Sequence, residues 1–226
     1  MPWIPPDSRA TVEDMSSDDV RADTAADSAR PHDPGSAQGW DERYSSSERL
    51  WTSEVNPALV AEVSDLDPGV ALDVGSGEGA DARWLADRGW QVTALDISQV
   101  AIDRAREIDP RPTITWLRAD VLADDVPAAD VDLVTLHYFP IPKQSVDAAR
   151  RLVDAVGPGG TLLVVAHAPE GVRAHGFDPD DYIQPADFAG LLGDEWQIVT
   201  DETRERGRAA GGGHHIHDVV FRARRR

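Results

Sequence analysis

The chain has 226 residues, room for one domain of about 100–200 residues with a tail and too little for two full ones. At 41% hydrophobic and 28% charged it can build one large core, and the lack of an internal period excludes solenoids and collagen. Acids outnumber bases 41 to 22, a net charge of −19 that repels phosphate backbones and anionic lipid, and the absence of cysteine excludes disulfides, thiolate metal sites and a cysteine nucleophile.

Residues 1–38 carry eight acids against three arginines, with Ala, Ser and Pro between them and almost nothing apolar to bury. Such a stretch cannot offset its ordering entropy, so a disordered acidic tail is expected over 1–38, followed by one domain over 39–226. The first residues have neither a basic n-region nor an apolar h-region, and no apolar run approaches about 18 residues. A cytoplasmic protein with no membrane or nucleic-acid partner is expected.

From Trp40 the segment WDERYSSSERLW brings three aromatics together, and Asn56-Pro57 then starts a helix, ALVAEVSDL, that Pro68-Gly69 ends. VALDV reads as a strand, ADARWLADRG as a helix closed by Gly89, QVTALDI as a strand, and QVAIDRAREI as a helix stopped before Pro110. TITWLRAD and VDLVTLHYF are further strands, VDAARRLVDAV a helix, and TLLVVAHA a strand apolar on both faces. Helix PADFAGLLGD, strand QIVTDETRER, the turn AAGGGHH and strand IHDVVFRAR complete the chain. Doubly buried strands alternating with helices predict an α/β, Rossmann-like sheet of seven mostly parallel strands with helices on both faces. The short final turn makes the last strand antiparallel.

The strongest local signal is DVGSGEGA, Asp73 to Ala80, where a strand passes through Gly75, Gly77 and Gly79 into a helix. Glycines there allow positive φ and close backbone approach, and the helix start supplies free N–H donors for a ligand. Gly75, Gly77 and Ala80 also satisfy the dinucleotide fingerprint, with Asp96 about 20 residues on, so the loop alone does not name its ligand. In either class Asp96 can accept hydrogen bonds from ribose hydroxyls; its alternative role is to cap the helix that follows.

With Asp73 two residues before G-x-G-x-G, Asp96 ending the second strand and Asp120 ending the third, the chain resembles the class I S-adenosylmethionine-dependent methyltransferases over residues 40–226. The resemblance implies that Gly75, Ser76, Gly77 and Gly79 lie under the methionine moiety and that Asp73 fixes its ammonium. It also implies that Asp96 holds the ribose diol, Ile97 packs on adenine, Asp120 and Val121 read the adenine edge, and His137 faces the sulfonium. Trp40-Asp41-Glu42-Arg43-Tyr44 is similar to a segment that lids the cofactor in the thiopurine and tellurite-resistance branch, which puts Trp40, Arg43 and Tyr44 at the cofactor. HYFPIP stands where nucleic-acid amino-methylating enzymes have Asn-Pro-Pro-Tyr.

By resemblance the reaction is in-line methyl transfer to a small molecule, with a thiol, a thiopurine or a chalcogen oxyanion among the acceptors. An anionic acceptor needs no base; a hydroxyl or ammonium needs one within hydrogen-bond reach, and His137 and Tyr138 are the candidates. The last turn is expected beside the acceptor, with Arg204, Arg206, Arg208, Gly211 to Gly213, His214, His215 and His217 on or near a flap in which an arginine favours anions. On a strand His215 and His217 share a face and His214 does not, so no three-histidine metal site is expected. The alternatives are a single-domain NAD(P)-dependent reductase and a non-catalytic S-adenosylmethionine-binding protein. The oligomeric state is open, with a monomer compatible.

Overall fold

A computed structural model describes residues 36–173, 178–206 and 217–226 of the chain. The expected acidic tail falls outside these except at its end, where α1 (Ala37–Ser45) already begins, capped by the Ser36 side chain accepting from the Gly39 N–H. Asn56 accepts from Ala58 N–H at 2.9 Å and Pro57 occupies the first turn of α2 (Pro57–Val63), as the sequence predicts.

Seven strands form one sheet: β1 (Val70–Val74), β2 (Gln91–Asp96), β3 (Ile114–Arg118), β4 (Val131–His137), β5 (Val156–His167), β6 (Trp196–Glu205) and β7 (His217–Arg225). Their order is β3-β2-β1-β4-β5-β7-β6, and β7 alone runs opposite to the other six. Alternation sends Leu72, Val74, Val134, Leu136, Leu162 and Val164 to one face, against α5 (Val146–Ala155) and Phe188. Ala71, Leu133, Leu163 and Val165 go to the other, against α2, α3 (Ala80–Asp87) and α4 (Gln99–Ile108). Both faces are thus covered, which is why the strands lack a polar alternate face.

One expectation changes. PADFAGLLGD forms not an α-helix but a 3-10 helix over Pro185–Leu191, closed by i→i+3 bonds such as Asp187 N–H to Gln184 carbonyl. Gly190, a poor helix former, lies within this short run, and burying Phe188 sets its path. At the C-terminal end Arg225 donates to the Val156 carbonyl and Arg222 lies 3.6 Å from Glu62. A short helix, α6 (Pro169–Arg173), follows β5. Among the described residues no helix is long and apolar enough to cross a membrane.

Candidate functional site

Parallel strands β1, β2, β4 and β5 end at one edge of the sheet, and the polar groups gather there. Gly75, Gly77 and Gly79 all have positive φ (72°, 54° and 81°), as the loop requires. Gly79 is the left-handed N-cap of α3. The loop is drawn onto β2: Ser76 N–H donates to the Leu95 carbonyl at 2.8 Å, and Gly77 N–H to Asp96 Oδ2 at 2.9 Å.

Asp96 also accepts from Ser98 N–H at 2.9 Å, while Ser98 caps α4 through Ala101 N–H. The carboxylate therefore ties loop to helix, the structural role weighed for it, and each oxygen retains lone-pair capacity for a ligand hydroxyl. Burial pushes its pKa up to about 6 against the two backbone donors. Asp73 is more confined. Burial, then the carboxylates of Asp81 and Asp96, holds its pKa well above the ordinary range. Asp73 Oδ2 and Ser76 Oγ are buried with no hydrogen-bond partner within the protein. A loop edge with three carboxylates and an orphaned acceptor fits a ligand carrying a cation and hydroxyl donors, which S-adenosylmethionine has as its ammonium, sulfonium and ribose.

The N-terminal segment lies on this loop. A Cβ on Gly77 would sit 2.9 Å from the Tyr44 hydroxyl and 3.4 Å from the Trp51 ring. Trp51 Nε1 donates to that hydroxyl at 3.0 Å, and the Arg43 guanidinium lies 5.1 Å from the ring centres of both Trp40 and Trp51. Glu78 fastens the segment: its carboxylate accepts from Leu50 and Trp51 N–H and pairs with Arg104 at 3.1 Å. Arg104 in turn donates to the Ser47 carbonyl. Asp41 accepts from Ser98 Oγ at 2.6 Å and Val100 N–H at 3.2 Å, anchoring α1 to the start of α4.

Asp120 and Val121 follow β3 in the turn beside Asp96, where Ala119 N–H donates to the Asp96 carbonyl at 3.0 Å. The Asp120 carboxylate accepts from Leu122 N–H at 3.0 Å and shapes the turn, while the Val121 side chain is buried in the core. Ile97 is half-buried, with its carbonyl accepting from Arg118.

His137 and Tyr138 are consecutive but face different partners. His137 Nδ1 lies 2.8 Å from Asp81 Oδ2, and Asp81 Oδ1 accepts from Asn56 N–H at 2.7 Å. Tyr138 has φ of +55°, strained for a non-glycine residue, and its hydroxyl donates to Asp218 Oδ2 at 2.9 Å. Its ring stacks on His167 with 4.1 Å between centroids, and the Arg206 guanidinium stands 4.7 Å away on it. Burial and the Asp218 carboxylate hold the phenol above its ordinary pKa.

Arg204 pairs away from the sheet edge. It lies in β6, bonded to Glu62 of α2 at 2.8 Å, because β6 alternation turns it, like Thr200, toward that helix. Arg206 does reach the strand-end cluster, and His217 begins β7. Arg208, Gly211 to Gly213, His214 and His215 lie outside the described residues. Sequence reasoning assigned no role to Asp81, Glu78, Arg104 and Asp218, although Glu78 lies within the glycine motif; Asp41 stood within the Trp40–Tyr44 segment.

Residues 71–180 match the family model described as "Methyltransferase domain". An uncharacterized methyltransferase of Mycobacterium tuberculosis is 34% identical over 128 residues, 54% of this chain and 64% of that protein. N-demethylindolmycin N-methyltransferase of Streptomyces griseus is 30% identical over 141 residues, 58% of this chain and 59% of that one. The chain thus spans somewhat under two thirds of the length of these curated relatives. Among solved structures, N-methyltransferase NodS of Bradyrhizobium japonicum with bound S-adenosyl-l-homocysteine superposes with a TM-score of 0.66 at 19% identity, covering 84% of this chain and 98% of that one. Residues 71–180 are thus similar to a methyltransferase domain, and the sheet has the seven-stranded fold of the class I S-adenosylmethionine-dependent methyltransferases.

Proposed function

We propose that the protein is an S-adenosylmethionine-dependent methyltransferase acting on a small molecule, in the cytoplasm, as the sequence reading expects. The observation that carries this is the orphaned Asp73 Oδ2, buried beside Asp81 and Asp96 at the glycine loop. Such an edge attracts a sulfonium and an ammonium. A nicotinamide dinucleotide would bring its pyrophosphate against the same carboxylates, so the reductase reading loses support although the loop spacing suits both. In this reading Asp73 holds the ammonium, Asp96 the ribose diol, Asp120 and Val121 the adenine edge beside Ile97, and the Trp40–Trp51 segment covers the loop. The bound cofactor supplies an electrophilic methyl group; the chain's own work is to orient the acceptor and exclude water.

The similarity of the Trp40–Tyr44 segment to the thiopurine and tellurite branch bears on the cofactor rather than the acceptor, because its contacts run to Gly77 and Ser98. Acceptor selection belongs to the residues after β4 and before β7. Parallel calorimetric titrations with S-adenosylmethionine, S-adenosylhomocysteine and NADH test the proposal. Micromolar binding of the two sulfur compounds without NADH is expected. Binding of NADH alone would restore the reductase, and silence from all three would remove cofactor binding altogether.

A further inference from the structure

The two residues that end β4 are not equivalent as proton acceptors. Tyr138 is held as a phenol: its hydroxyl already donates to Asp218 Oδ2 at 2.9 Å, and Asp218 is buried. His137 is arranged otherwise. A carboxylate oxygen 2.8 Å from Nδ1 must meet a hydrogen, so Nδ1 donates to Asp81 and a neutral imidazole keeps a bare Nε2. Asp81 is itself fixed on its other oxygen by Asn56 N–H, and it belongs to the first turn of the helix that leaves the glycine loop. Thr135 Oγ1 lies 3.3 Å from both ring nitrogens; an atom equidistant from the two is off the lone-pair axis of either, so Nε2 is not taken. The imidazole is mostly buried at the strand ends, with its tautomer set by a carboxylate, the base-and-orienter arrangement of acid–base catalysis.

We propose that His137 is the general base of the reaction, that Asp81 is its positioning residue, and that the acceptor is therefore a small molecule methylated at an N–H or O–H group rather than a preformed thiolate or chalcogen oxyanion. This rests on the methyltransferase reading above. As the acceptor heteroatom bonds to the methyl carbon, the carbon–sulfur bond breaks with its electron pair remaining on sulfur. The acceptor proton passes to His137 Nε2, and the imidazolium charge lies against the Asp81 carboxylate. A preformed anion would need none of this apparatus.

The first test needs no acceptor. Long-range proton–nitrogen NMR of histidine-labelled protein, with His137 assigned by the His137→Gln variant and followed to alkaline pH until the ring is neutral, should show the Nδ1–H tautomer. Asp81→Asn, whose amide can still accept from Asn56 N–H but can turn its NH2 toward Nδ1, should shift the ring toward Nε2–H. A wild-type Nε2–H tautomer overturns the proposal, as does a tautomer indifferent to Asp81→Asn. The second test measures methylation of benzylamine, catechol and 2-mercaptoethanol by wild type and His137→Gln, with S-adenosylhomocysteine binding measured in parallel. Turnover of the amine or the hydroxyl that falls at least about a hundredfold in kcat in the variant, at unchanged binding, is expected. Thiol as the sole substrate, no turnover of any of the three, or equal rates in the two proteins overturns the base assignment while leaving the methyltransferase reading to stand on cofactor binding. Failure to bind S-adenosylhomocysteine overturns both.

Discussion

Replacing Asp96 by asparagine separates its two roles, because ligand binding and folding respond to its charge with opposite signs. In the free protein burial lifts its pKa to about 6, from about 3.9 for an unperturbed aspartate. About two units at ~1.4 kcal/mol each make the ionised form roughly 3 kcal/mol less favourable in the folded protein. Folding binds a proton between those values, so this group's contribution to stability is fully present below about pH 4 and is lost as pH rises through about 6. A ribose diol donates hydrogen bonds and favours the carboxylate, so cofactor affinity should instead fall on acidification. At about pH 5 only about one tenth of Asp96 is ionised, which weakens S-adenosylhomocysteine binding about tenfold, or ~1.4 kcal/mol, relative to about pH 7.5.

Asparagine keeps one acceptor oxygen and loses the charge. It should weaken binding by about 1.5–3 kcal/mol at neutral pH and remove the Asp96 part of the pH slope. Its NH2 also faces a backbone donor, either Gly77 N–H or Ser98 N–H, so some stability is lost in the unliganded protein and must be measured alongside. Isothermal titration of both proteins across the pH range decides the matter. An affinity that stays flat between about pH 7.5 and 5 in the wild type, or a slope that Asp96→Asn leaves intact, would refute the assignment of the ribose diol to Asp96.

Asp73 gives a companion expectation: burial and its neighbouring carboxylates raise its pKa, and a ligand ammonium meeting Oδ2 lowers it again, so binding favours proton release. Titrations in buffers of different ionisation enthalpy should show that release in the wild type and its loss in Asp73→Asn; equal proton uptake in the two proteins contradicts it. Glu78→Gln removes the charge that Leu50 N–H, Trp51 N–H and Arg104 share, and should cost about 1–3 kcal/mol and strip hydrogen-exchange protection from those two amides. Retained protection there would show that the aromatic contacts alone hold the segment. Gly79→Ala forces an alanine to φ near +81° with its Cβ driven into the Trp116 ring, so urea unfolding should report a loss of about 2–4 kcal/mol. A loss within about 0.5 kcal/mol would mean that the loop simply relaxes away from Trp116.

The sheet was legible because strands buried on both sides leave a continuous apolar signature, and VALDV, QVTALDI and TLLVVAHA sit where the sequence places them. The glycine loop was legible because its three left-handed residues have few substitutes. Asp81 was not, since an acid in the first turn of a helix is an ordinary partner for the helix dipole. Nothing along the chain connects it to His137; the two meet only because β4 lies beside β1 and α3 starts where both strands end. Glu78 was hidden as an unspecified position within a glycine motif, although its carboxylate holds Leu50 N–H, Trp51 N–H and Arg104. The partner of Arg204 was not legible for the related reason that its direction depends on strand register: one residue's shift in β6 would have turned it away from Glu62.

The placement of charge along the strand ends bears on how transfer and proton removal combine in the proposed reaction. Asp73 and Asp96 stand at β1 and β2, while His137, His167 and Arg206 stand toward β4, β5 and the end of β6. Methyl transfer discharges a sulfonium and leaves positive charge with the acceptor, so charge moves across the edge from the carboxylate side toward the imidazole. Asp81 adjoins both sides: it is close enough to Asp73 to raise its pKa, and it pairs with His137 at 2.8 Å. In the proposed reaction one fixed carboxylate would face the positive charge both before and after transfer, held by Asn56 N–H without needing to reorient. Preorganisation of that kind lowers the barrier because no dipole has to turn as charge moves, and it places the most consequential carboxylate of the edge outside the glycine motif itself.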